Sequence, residues 1–129
     1  HAHGVAVSAG YAYVSDRFEG GLRVVDVRDP ASPREVAYLD TSGSSKGVAV
    51  SGRRVFLASG YDGLRVIDVT RPTAPWEVAA LETPGDAVDV AVAGGDAFVA
   101  DWQGGLSIVR IGLATEGRAC LPLAVRAVR

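Results

Sequence analysis

Apolar residues along this chain come in short runs separated by glycine, serine, aspartate or proline. The first four are Val5-Ala6-Val7, Ala12-Tyr13-Val14, Leu22-Arg23-Val24-Val25-Asp26-Val27 and Glu35-Val36-Ala37. Runs of this length, rich in β-branched and aromatic residues and bounded by turn formers, predict strands. No window repeats its apolar positions with a period near 3.6, so no long helix is expected. Ala9-Gly10, Ser51-Gly52 and Gly94-Gly95 follow the V-A-V runs and read as hairpin turns. The paired prolines, Pro30 and Pro33 and then Pro72 and Pro75, precede the fourth run, where losing N–H donors costs little.

The four-run pattern repeats. Leu22-Arg23-Val24-Val25-Asp26-Val27 aligns with Leu64-Arg65-Val66-Ile67-Asp68-Val69 and with Leu106-Ser107-Ile108-Val109-Arg110-Ile111, each copy 42 residues after the last. Upstream, Gly4-Val5-Ala6-Val7 matches Gly47-Val48-Ala49-Val50 and Asp89-Val90-Ala91-Val92, and Ala12-Tyr13-Val14 matches Val55-Phe56-Leu57 and Ala97-Phe98-Val99. The third copy departs downstream of Gly112, where the proline pair is missing, but Leu123–Val128 retains a strand-like pattern. A four-stranded unit of this length in tandem is the signature of a β-propeller blade. The expected fold is all-β: three four-stranded antiparallel blades in one domain, at about residues 3–45, 46–87 and 88–129. The small, apolar first strand of each suits the crowded axis.

The motif strands GLRVVDV and GLRVIDV, followed by D-P-A-S-P and R-P-T-A-P, resemble LVIVD repeats, propeller blades named for that strand. The resemblance covers nearly the whole chain and is weakest in the third copy, where Arg110 stands in place of the aspartate. It implies a propeller, and an extracellular or cell-surface setting. It implies no particular activity.

Composition adds exclusions. Hydrophobic residues make up 48% and charged residues 22% of the 129, as in a globular domain. A net charge of −2 without a long basic run gives no nucleic-acid or anionic-membrane surface, and the apolar runs are too short to span a bilayer. The lone Cys120 excludes an intrachain disulfide and a multi-cysteine metal site, and it reads as a small apolar residue or a free thiol. The chain opens on His1 without a signal-peptide pattern, as expected where a preceding segment has been removed.

Three blades cannot close a ring, because propellers have four to eight. The first and last blades would each expose an apolar face of several hundred Å². Covering both is worth on the order of 10 kcal/mol before association costs. The simplest cover is a second copy: two chains make a six-bladed homodimeric ring about a twofold axis. The alternative cover is the remaining blades of a longer chain.

Candidate chemistry is sparse. His1 and His3 share one strand face but make only two metal ligands. His3, Lys46 and Asp89 stand just before or at the first strand of each copy, near the mouth of the central channel, and are candidate binding residues there. Solvated channel lining is the other reading. Phe18, Tyr61 and Trp102 each occupy the loop between second and third strands. They form either a rim for a peptide, sugar or aromatic ligand, or packing between blades. Asp26 and Asp68 end the motif strand and should accept turn N–H groups. No phosphate loop, nucleophile arrangement, cofactor motif or metal cluster appears. The expected role is therefore a non-catalytic scaffold or interaction module. The alternatives are an enzyme working at the channel mouth, and a fragment of a longer repeat protein without a function of its own.

Overall fold

A computed structural model describes residues 1–41, 43–113 and 120–128. Twelve strands form three antiparallel sheets in sequence order. Blade one holds β1 (Ala2–Ser8), β2 (Tyr11–Asp16), β3 (Gly21–Asp26) and β4 (Arg34–Asp40). Blade two holds β5 (Val48–Ser51), β6 (Arg54–Ala58), β7 (Leu64–Asp68) and β8 (Trp76–Leu81). Blade three holds β9 (Asp89–Ala93), β10 (Asp96–Ala100), β11 (Leu106–Leu113) and β12 (Cys120–Val128). The outer strand expected at Leu123–Val128 is present and starts three residues earlier. The three sheets are propeller blades.

Turn chemistry sets the hairpins. Ala9 and Gly10 between β1 and β2 have φ of +51° and +83°, and Gly94 and Gly95 between β9 and β10 have +57° and +83°. Two consecutive positive φ values make the tight turn whose twist matches the strands it joins. A bulge occurs in the motif strand of every blade, at the same place in blades one and two and two residues later in blade three. The register slips between Val24 and Val25, between Val66 and Ile67, and between Arg110 and Ile111. In each case it lies opposite the outer strand and bends the blade there.

Two apolar cores hold the blades together. Tyr13, Leu22 and Val24 of blade one pack with Val55, Leu57 and Ile67 of blade two. Phe56, Leu64 and Val66, on the other face of blade two, pack with Val90, Ala97, Val99 and Val109 of blade three. Strand alternation divides blade two's residues between these cores. The first strands adjoin along the axis, β1 against β5 and β5 against β9. Glycines permit that approach. A Cβ on Gly4 would lie 2.9 Å from the Lys46 carbonyl oxygen, and one on Gly47 would lie 2.5 Å from the Asp89 Cα.

Candidate functional site

The loops from second to third strand and the loops between blades share one rim of the fan. The three rim aromatics stand out into solvent: Phe18 is 68% exposed, Tyr61 77% and Trp102 70%. Phe18 meets the His1 ring edge to face, with centroids 4.6 Å apart, and the Arg17 guanidinium lies 5.7 Å from its centroid. Trp102 opens a 3-10 turn, Trp102–Gly104, with φ of +36°. A bulky side chain in that region is strained. None of the three rings fills the space between blades.

Beneath the aromatics lie Asp16, Ser59 and Asp101, which hold equivalent places at the ends of the second strands. Asp16 accepts the chain's N-terminal amine at 3.0 Å, the Glu19 N–H at 3.1 Å and Arg23 Nε at 3.2 Å. The amine first, then the Glu19 N–H, hold its carboxyl at about 2. Asp101 is fully buried. It accepts Thr83 Oγ1 at 2.7 Å, the Gly85 N–H at 2.9 Å and Ser107 Oγ at 3.0 Å. It thereby clamps the segment that leaves blade two onto blade three. A Cβ on Gly104 would fall 2.6 Å from Asp101 Oδ2, so the turn beneath Trp102 needs glycine. Ser59 is also fully buried, but its hydroxyl has no hydrogen-bond partner among the described residues.

The channel-mouth candidates do not bond to one another. Lys46 Nζ donates to both oxygens of Asp86, at 2.9 and 3.1 Å, and both side chains are largely buried. Asp89 Oδ1 accepts the Val90 N–H at 2.9 Å. His3 is exposed. Ser15, buried next to Asp16, takes the Gly4 N–H at 2.8 Å and donates to the Lys46 carbonyl, fastening blade one to blade two. The mouth is a set of structural bonds around one buried ion pair.

Comparison with known proteins completes the picture. The family model described as LVIVD repeat matches three times in succession, over residues 1–41, 42–83 and 84–112. This chain belongs to the LVIVD-repeat family. No curated protein matches it. Among solved structures, it is similar to the glutaminyl cyclase of Myxococcus xanthus, with 19% identity and a TM-score of 0.60 over 85% of this chain. The likeness covers 47% of that enzyme's chain, so this sequence spans about half its length. At this identity the likeness concerns the fold.

The aspartates of the LVIVD strands do turn work. Asp26 accepts the Arg28 N–H at 3.0 Å and the Arg28 guanidinium, which together hold its carboxyl at about 2. Asp68 accepts the Thr70 N–H at 2.7 Å and pairs with Arg54 at 3.1 Å. In the third LVIVD strand the charges are exchanged: Arg110 faces Asp96 across the ladder, where blade two has Asp68 facing Arg54. Arg110 therefore keeps the cross-strand pair with its polarity reversed.

Among the described residues no group of three His, Cys, Asp or Glu side chains is placed to hold a metal. Cys120 lies where only the backbone is described. Sequence reasoning missed Asp86 and the Asp16, Ser59 and Asp101 column. The column is visible once the copies are aligned, because D, S and D directly precede the aromatic loops.

Proposed function

We propose that this LVIVD chain is a non-catalytic half-propeller that pairs with a second copy to close a six-bladed ring and presents its aromatic rim as a binding face. One observation carries the reading. Positions packed in the middle blade lie open in the outer ones. Val48 and Val50 of blade two pack on the blade one–two core, whereas their counterparts Val5 and Val7 are 63% and 62% exposed. Leu64 is fully buried, whereas its counterpart Leu106 is 38% exposed. The two open faces are complementary in kind. Blade one offers the valine face that blade two already inserts against blade one. Blade three offers the Phe98, Leu106 and Ile108 face that corresponds to Phe56, Leu64 and Val66. Docking one on the other repeats an interface the chain builds twice within itself.

The rim supports a binding role on separate grounds. Three exposed aromatics recur on consecutive blades, and Trp102 is held in a strained conformation that a glycine would relieve. Strain kept at an exposed aromatic points to use of that side chain. The enzyme reading asks for a Lys46 able to act on a ligand, and Asp86 already occupies its ammonium.

Native mass across a dilution series tests the ring. A mass of two chains that persists on dilution supports it. A monomer at all concentrations overturns it, and the open faces would then belong against further blades of a longer chain.

A further inference from the structure

We propose that blade two binds a small monovalent anion of chloride size between Ser59 and Arg65. One position differs among the three blades. In blade one, Arg23 Nε donates to Asp16 Oδ2 at 3.2 Å. In blade three, Ser107 Oγ donates to Asp101 Oδ2 at 3.0 Å. The end of the second strand and the second residue of the motif strand are thus bonded through a carboxylate in both outer blades. Blade two has Ser59 and Arg65 at these places. Ser59 has a hydroxyl where aspartate has its carboxylate, and it makes no bond to Arg65. Ser59 Oγ and Arg65 Nε are both shielded from solvent, and neither has a hydrogen-bond partner among the described residues. Arg Nε can only donate, and a serine hydroxyl rotates to donate where an acceptor lies. Two buried donors therefore stand at the repeat positions that the neighbouring blades bond through a carboxylate oxygen.

Charge selects the acceptor. Arg23 pairs with Asp16, Glu19 and Glu35. Arg65 has an ion pair with Glu77, through NH1 at 3.1 Å, which leaves Nε unused. Blade two is one carboxylate short at this point, and a bound anion restores the charge that aspartate supplies in the other blades. The enclosure limits its size. Ser59 has no solvent exposure and its neighbours Ala58 and Gly60 are buried. Such burial favours the smallest anions, a halide first.

The test uses the full chain. Thermal unfolding is followed while chloride replaces gluconate at constant ionic strength and sodium concentration. A ligand that binds only the folded state raises Tm with its concentration. The wild-type Tm should rise by on the order of a few degrees over a hundredfold increase in chloride. Ser59→Asp, which carries its own carboxylate, should unfold independently of chloride, at or above the chloride-saturated wild-type Tm. Chloride-35 NMR gives a second readout, with line broadening by the wild type and none by Ser59→Asp. Should Ser59→Asp fail to fold, Ser59→Ala serves, with a chloride dependence weaker than wild type. A wild-type Tm that ignores chloride overturns the proposal and leaves these donors to water. So does a chloride slope equally steep in Ser59→Asp.

Discussion

Asp16 shows how much one carboxylate ties together. It holds the chain's first residue, the loop that carries Phe18, and the motif arginine. Its carboxyl sits at about 2 in the folded chain, against about 3.9 for an unfolded aspartate. A lowered folded value gives stability that is complete above the unfolded value and disappears as pH falls toward the folded one. Tm should therefore drop between about pH 4 and pH 2, and Asp16→Asn should flatten that part of the curve, which scanning calorimetry at stepped pH would reveal. Asp26, also at about 2, keeps its own share in the same window, so the flattening is partial. Ala9 offers a prediction of opposite sign. Its φ of +51° suits asparagine better than alanine, and Ala9→Asn should stabilise by about 0.5–1 kcal/mol in urea unfolding. At this scale the sequence was half legible. The aspartates that end the motif strands announced their turn bonds because those partners are two residues away. Lys46 did not announce Asp86, 40 residues on, because that bond exists only once two blades are stacked.

Strand pairing explains the next level. The motif strands and Gly-bounded hairpins were plain in the sequence because alternation and turn type are local properties. The bulges were not, since each arises from matching the motif strand to an outer strand that returns after a loop. The exchanged pair in blade three was hidden for a related reason. Arg110 stood only as a departure from the motif until the register placed Asp96 directly opposite. That geometry predicts a double-mutant result. In blade two, Arg54→Asp alone sets like charges opposite each other at a largely buried site. It should destabilise by about 1 kcal/mol or more. Adding Asp68→Arg copies blade three's arrangement and should recover most of the loss. Denaturant unfolding of the four proteins of the cycle measures the coupling. A double variant no better than the sum of the single ones would mean the pair contributes nothing through its charge.

At the level of the whole molecule, the repeat makes its own control experiment. Leu64 and Leu106 occupy one position in consecutive blades, the first enclosed by blade three and the second open. Leu64→Ala removes a fully buried side chain and should cost about 2–5 kcal/mol whatever the chain's oligomeric state. Leu106→Ala should cost well under that in an isolated chain, because much of the side chain already meets water. If two chains close a ring, Leu106 lies under blade one of the partner and the cost approaches that of Leu64→Ala. The two losses therefore report whether blade three is covered. Dilution sharpens the comparison, because association enters stability by mass action. The Leu106→Ala penalty should shrink as the protein is diluted below the dimer's dissociation range, and the Leu64→Ala penalty should not. Val5→Lys together with Val7→Lys attacks the same contact from the other side. These residues are more than 60% exposed in the single chain, so their replacement should leave strand content unchanged by circular dichroism. A lysine pair buried against blade three's apolar face is strongly unfavourable, so the variant should run as a monomer where the wild type runs as two chains. A variant that keeps the dimer mass would place the contact elsewhere and remove the ring.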